Sequence, residues 1–180
     1  MPERPNGMVS KTIGSNPFAS SNLAPTARKN MDKSLVLVSG AVLFKEGRGK
    51  RRWFVVKDAD EDTWEIPKVF VRKGESSVRA ALRMMGEQGG MTTKVLEEAG
   101  RSGGVTTING KTLPQRHLYY LMILLSGTQE PIGFDDYQWL EYAKAVRKLS
   151  SKREKAMLKQ ASVELRKWKK AKKQNKLKRG

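Results

Sequence analysis

The run SLVLVSGAVLF, residues 34–44, is apolar and β-branched, which predicts a buried strand ending near Phe44. KEGRGK then reads as a turn, RRWFVVKD at 51–58 as a second strand, and DADEDT as a polar loop. WEIPKVFVR gives a third extended piece that contains Pro67, so the first half of the chain reads as a β-meander. Next, Val78, Ala81, Leu82 and Met85 follow the i, i+3, i+4, i+7 rule, predicting a helix from about Ser76 to Gln88 that Gly89-Gly90 ends. TTKVLEEAG predicts a second, short helix, GVTTINGKTL a hairpin turning at Asn109-Gly110, and LYYLMILLSG another buried strand. From Tyr137 the period is helical again: Trp139, Leu140, Ala143, Val146 and Leu149 form one stripe, and Met157, Ala161, Leu165 and Trp168 another. The last dozen residues, KKAKKQNKLKRG, read as frayed.

The first 30 residues, rich in Pro, Gly, Ser and Asn without apolar period, read as a disordered arm, followed by a domain over 31–150 and a basic helical tail over 151–180. The arm lacks the continuous apolar stretch of a secretory signal, and Arg4 and Arg28 alone do not make a mitochondrial presequence. No apolar run approaches the roughly 18 to 20 residues that a membrane-spanning helix needs. These features point to a cytoplasmic protein. Zero cysteines exclude a disulfide framework, thiolate metal sites and a cysteine nucleophile, and a single histidine, His117, excludes a histidine-rich metal site.

The net charge of +18 is unevenly spread. Residues 146–180 hold 15 Lys or Arg against Glu154 and Glu164, whereas the other 145 residues hold 21 against 16. Such a tail attracts polyanions by releasing their counterions, and nucleic acid or an anionic membrane surface serves equally well.

The segment from Trp64 to Met91, WEIPKVFVRKGESSVRAALRMMGEQGGM, resembles the signature of the Nudix hydrolases: Gly, five residues, Glu, seven residues, then Arg-Glu-apolar-any-Glu-Glu-any-Gly-apolar. Glu75, Arg83, Met85, Glu87, Gly90 and Met91 fall on their family positions. Val69 stands in place of the glycine, Met84 of the first clustered glutamate and Gln88 of the last. The resemblance covers about 31–160. It implies an α+β fold, an α/β/α sandwich around a mixed β-sheet, here with a basic C-terminal helical extension.

The resemblance also implies a chemistry, hydrolysis of a nucleoside diphosphate derivative by water activated on Mg²⁺ or Mn²⁺. Hard cations of this kind prefer carboxylate and phosphate oxygens. Positions 84, 87 and 88 are related by i+3 and i+4 and are expected on one helix face, where this chain offers Glu87 and Gln88 as metal ligands beside a thioether. Glu75, Arg83 and Glu87 are the candidate catalytic residues, with Arg83 bracing the loop; Glu75, Arg79, Arg83 and Glu87 repeat every four residues and are also readable as a solvated ion-pair ladder. Lys68 and Arg72 are the candidates for substrate phosphate. Glu130, Asp135 and Asp136 are either replacement ligands or ordinary loop acids, His117 either a phosphate contact or structural, and Trp53, Phe54, Tyr119 and Tyr120 either base-stacking or core. The expected activity is thus a nucleotide-binding protein with weak or lost hydrolysis, the alternatives being an active Mg²⁺-dependent diphosphohydrolase and a structural RNA-binding subunit. With a reduced ligand set, the metal is needed if the enzyme is active and otherwise dispensable.

Within the tail, Trp168 in ELRKWKKAKK gives an amphipathic helix with one aromatic and a cationic face. Arg166, Lys167, Trp168, Lys169, Lys170, Lys172 and Lys173 are the candidates for nucleic-acid contact, because 166–180 carries nine positive charges and no acid. Through Leu165 the same helix also reads as packing back on the domain.

Overall fold

The computed structural model describes residues 35–58, 62–127 and 130–178. The arm expected over 1–30 lies outside them. In chain order the elements are β1 (Val36–Gly47), β2 (Lys50–Lys57), β3 (Trp64–Glu65), β4 (Lys68–Phe70), α1 (Ser77–Glu87), β5 (Met91–Ile108), β6 (Lys111–Gly127), β7 (Asp136–Leu140), α2 (Tyr142–Lys148) and α3 (Lys152–Leu177).

One mixed seven-stranded sheet organises them, with the order β3-β2-β1-β6-β5 and with β4 joined to β1 and β7 to β2. Its centre is a parallel pair, β1 with β6, in the register Val36 to Gln115 through Phe44 to Ile123. A parallel pair needs a long crossover, and β2 through β5 with α1 supply it. Alternation along the strands then divides the apolar residues between two faces. Ala41, Leu43, Phe54, Val56, Tyr120 and Met122 face α1, meeting Ala81, Met84 and Met85. Val42, Phe44, Trp53, Val55, Tyr119 and Leu121 face the other way, onto Ala145 and Leu149 of the α2 region and Leu158, Ala161 and Leu165 of α3. The result is the α/β/α sandwich that the family resemblance implied.

Local chemistry sets the boundaries. Arg48 and Gly49 at the β1–β2 turn, and Asn109 and Gly110 at the β5–β6 turn, all have positive φ, the conformation that two-residue hairpin loops require. Pro67 divides the expected third strand into β3 and β4: the Pro67 carbonyl accepts the Ala41 N–H at 3.0 Å, while proline offers no N–H of its own. The Ser76 side chain accepts the Arg79 N–H at 3.3 Å and caps α1.

Three expectations are corrected. TTKVLEEAG is part of β5, not a helix. Its pairing with β6 shifts register between Thr92 and Thr93, Val95 and Glu97, and Glu98 and Gly100, and across these bulges Val95 packs on the α1 side and Ala99 on the α3 side, so the period-2 signal of a strand is lost. Trp139 and Leu140 belong to β7, with Tyr137 and Trp139 packed toward α1 and Leu140 toward α3; α2 begins only after Glu141. The last dozen residues are not frayed throughout, since α3 continues to Leu177.

Candidate functional site

The β4–α1 loop is held by one acidic residue. Arg83 Nε donates to Glu75 Oε1 at 2.8 Å and Arg83 Nη2 to Glu75 Oε2 at 3.0 Å, a two-point clasp. The Arg72 backbone N–H adds a third bond to Glu75 Oε2 at 3.0 Å, and Arg83 Nη2 also reaches the Phe70 carbonyl at 3.3 Å. The hydrogen bonds from Arg83 and then from the Arg72 backbone bring the Glu75 carboxyl down to about 2, and the same contact with Glu75 raises Arg83. Glu75 is therefore an anion committed to shaping the loop.

Glu87 sits outside this clasp with its side chain 60 % exposed. Its Oε2 is 3.6 Å from Arg83 Nη1 and 3.9 Å from Arg72 Nη2. Of the expected ladder, Glu75, Arg83 and Glu87 make these pairs, and Arg79 gives its backbone N–H to the Ser76 cap.

The face expected to unite positions 84, 87 and 88 is divided. Met84 is fully buried in the α1-side core, Glu87 is exposed, and Gln88 ends the helix beneath a loop. The Gln88 carbonyl accepts the Gly133 N–H at 2.9 Å, and a Cβ on Gly133 would stand 2.6 Å from the Gln88 Cα. Only a glycine fits that approach, so the loop before β7 closes directly over the end of α1. Adjacent helical residues do not face each other, so Glu87 and Gln88 offer one carboxylate and one neutral amide in different directions, with two guanidinium groups at the carboxylate. This donor set does not fit a hard divalent cation. Among the described residues no three Asp, Glu or His side chains are grouped to hold a metal, and Glu130, Asp135 and Asp136 are exposed positions around the same loop.

Lys68 is engaged on the other side of the sheet. Its ammonium lies 2.5 Å from Glu65 Oε2 and 2.6 Å from Glu154 Oε1, and Glu154 Oε2 accepts the Ile66 N–H at 2.9 Å. Burial opposes the charge on Lys68, yet Glu154 and Glu65 outweigh it and raise its pKa. Burial pushes the Glu65 carboxyl up, against the pull of Lys68. Arg72, in contrast, is 66 % exposed beside Glu87 and open to an anion.

The aromatic candidates are core. Trp53 and Tyr119 are 1 % exposed, Phe54 2 % and Tyr120 6 %. Tyr120 has a second use: its hydroxyl pairs with Ser77 Oγ at 2.6 Å, and Ser39 Oγ donates to the Ser77 carbonyl at 2.6 Å, fixing the start of α1 on the two central strands. Sequence reasoning passed over Ser39, although a polar residue inside an apolar run was its signal. His117 is buried, with Nε2 2.9 Å from Gln115 Oε1 and its ring stacked near Tyr119.

A second feature was not read from the sequence. Beside the docked loop is a cleft of about 270 Å³ lined by Lys45, Met91, Leu124, Pro131, Tyr137 and Trp139. The Lys45 ammonium lies 4.2 Å over the Trp139 ring, and Phe54 supports that ring at 4.8 Å between centroids. Apolar and aromatic walls with one cation suit a flat heterocycle that carries negative charge.

In the tail, Trp168 packs partly buried against the α3-side core, with Lys172 5.0 Å over its ring. Lys167 reaches Glu164 at 2.9 Å, and Arg166, Lys169, Lys170, Lys172 and Lys173 are exposed.

No curated protein sequence matches the chain. A NUDIX domain model matches residues 35–161. Among solved structures, an Ap4A hydrolase binary complex from C. elegans has a TM-score of 0.60 at 22 % identity, covering 72 % of this chain and 97 % of that one. The NUDIX domain of Shewanella oneidensis NrtR complexed with ADP ribose has a TM-score of 0.56 at 19 % identity, covering 81 % and 97 %. The E. coli dihydroneopterin triphosphate pyrophosphohydrolase gives 0.56 at 15 % identity, covering 69 % and 92 %. These likenesses concern the fold.

Proposed function

The chain belongs to the NUDIX family, and we propose that within it this protein binds a nucleotide or nucleoside-diphosphate-type ligand and hydrolyses it weakly or not at all. Burial of Met84 carries the reading. A residue there reaches neither solvent nor substrate, Gln88 lies under Gly133, and Glu87 alone remains as an exposed carboxylate on this part of α1. One carboxylate flanked by Arg72 and Arg83 is a poor place for Mg²⁺ or Mn²⁺; with Arg83 engaged by Glu75, the exposed Arg72 is the guanidinium open to a phosphate.

The neighbouring cleft supports the ligand class: apolar and aromatic side chains line it, and the Lys45 ammonium, lying over the Trp139 ring, supplies a positive charge. Structures of the same fold carry the names of an Ap4A hydrolase and of a domain bound to ADP ribose, which are ligands of this chemical type. Among the described residues no helix is long and apolar enough to cross a membrane, and a cytoplasmic site of action belongs to the same proposal.

The test combines calorimetric titration with ADP-ribose and Ap4A and phosphate release in the presence of Mg²⁺ or Mn²⁺, with Glu87→Gln as control. Expected is saturable binding, weakened by Trp139→Ala, with no more turnover than the control shows. Metal-dependent turnover that Glu87→Gln abolishes would establish an active hydrolase with ligands borrowed from Glu130, Asp135 or Asp136, and would overturn the reading.

A further inference from the structure

The β1–β2 turn and the second half of α3 are distant in sequence and meet in space. Lys169 Nζ lies 2.5 Å from Glu46 Oε1, and the same oxygen accepts from Arg51 Nη2 at 3.0 Å and Nε at 3.3 Å. The hydrogen bond from Lys169 is the chief reason that the Glu46 carboxyl is held below its ordinary range. Around this junction Arg48, Lys50, Arg51 and Lys169 line a cleft of about 460 Å³. On the opposite face of the turn Lys45, Arg48, Lys50 and Arg52 line another of about 530 Å³. Between them, residues 45–52 and 166–178 carry thirteen cations against the single acid Glu46. From Arg166 to Lys178 every residue but Trp168 is exposed.

The fold gains little from this charge. Lys45 and Arg52 are direct cross-strand partners, and like charges so placed destabilise a sheet. On α3, Arg166 with Lys170, Lys169 with Lys173, and Lys172 with Lys176 stand four residues apart, where like charges also repel. Lys50 has only a 3.8 Å contact with Glu141. Glu46, engaged by two cations, links the two limbs without neutralising the surface.

We propose that the β1–β2 turn and α3 from Arg166 onward form one continuous surface for the phosphodiester backbone of single-stranded RNA, joined at Glu46. This goes beyond the nucleotide-binding reading and does not depend on it. A membrane surface fits poorly, because a helix lying on lipid buries an apolar face, whereas Trp168 turns into the core and only Leu177 is an exposed large apolar residue beyond it. A flexible polyanion fits well: the cations lie on two different elements, and a chain that bends follows both.

The experiment is fluorescence anisotropy of a labelled oligouridine with the full chain over a range of salt. The variant Arg48→Gln, Lys50→Gln, Arg52→Gln removes three turn cations and spares the Glu46 junction. Each phosphate contact contributes about 0.7 to the single-strand salt slope, so the slope falls by about 2 and affinity at about 0.1 M salt falls about a hundredfold. The matching helix variant, Lys170→Gln, Lys173→Gln, Lys176→Gln, gives the same loss, and unchanged thermal midpoints show both to be folded. A turn variant with the wild-type slope overturns the joint surface. Tighter binding to phosphatidylserine vesicles, or equal affinity for duplex DNA, overturns single-stranded RNA as its occupant.

Discussion

The Glu154 carboxylate takes the Ile66 N–H through one oxygen and the Lys68 ammonium through the other, at 2.9 and 2.6 Å, so the first turn of α3 is fastened to the bend between β3 and β4. The Glu154 side chain is 3 % exposed and that of Lys68 23 %. Without Glu154 the Lys68 ammonium keeps Glu65, and the group left without a partner is the buried Ile66 N–H, a cost of about 1 to 3 kcal/mol. Glu154→Ala is expected to lose that much in urea unfolding. Glu154→Gln, which keeps an acceptor for Ile66, loses less. A loss below about 1 kcal/mol for the alanine variant would show that solvent replaces the carboxylate.

The clasp between Glu75 and Arg83 makes stability depend on acid. The Glu75 carboxyl has an ordinary value of 4.5 and stands at about 2 in the folded protein. Its contribution is therefore complete above about pH 4.5 and disappears as the pH falls toward 2. Wild type and Glu75→Gln should differ in thermal midpoint at neutral pH and converge in acid. Parallel curves down to pH 2 would contradict the clasp.

Met84→Glu would restore the family's residue at that position and place it in an apolar core. Burial raises a carboxyl pKa and favours the neutral form, so the variant is expected to be less stable by roughly 2 kcal/mol or more and to gain no Mg²⁺-dependent stabilisation. Calorimetric melting with and without Mg²⁺ reads both. A variant as stable as wild type, with a midpoint raised by Mg²⁺, would mean that the α1-side core opens readily to solvent.

His117 is the sole histidine, so its ring proton resonance needs no assignment by mutation. Burial, and then the charges of Arg153 and Lys68, lower its pKa from 6.5. An NMR titration of the untagged chain should give a midpoint below 6.5. Because the unfolded chain takes up the proton first, this residue weakens the fold as the pH drops below 6.5. A midpoint at or above 6.5 would place the ring in water.

The elements most legible in the sequence were those whose signal is local. Ser76 and Gln88 bound α1 as expected, because a cap residue and a glycine pair act within one turn. Asn109-Gly110 forced its hairpin for the same reason. β5 was misread because its bulges are set by the pairing partner, and β7 because Trp139 answers to Phe54 across the sheet rather than to Ala143 along the chain. Around the candidate site, four-residue spacing gave the Arg83–Glu87 pair, whereas the choice of Glu75, Arg83 and Glu87 as site candidates came from the family resemblance. That Lys68 turns to Glu154, and that Gly133 lies on Gln88, depends on residues far along the chain and left no mark near either one.

The parallel pairing of β1 with β6 also fixes an order of events during synthesis. The first strand of the sheet cannot meet its central partner until five further elements have left the ribosome. Contacts so separated in sequence form slowly, and a chain elongating from its N-terminus holds the apolar edge of β1 unpaired meanwhile. The α3-side core waits longer still, for Leu158, Ala161 and Leu165. A nascent chain that stops before α3 leaves Phe44, Trp53 and Leu121 without Leu158, Ala161 and Leu165 over them, so that face of the sheet closes only once α3 has been made.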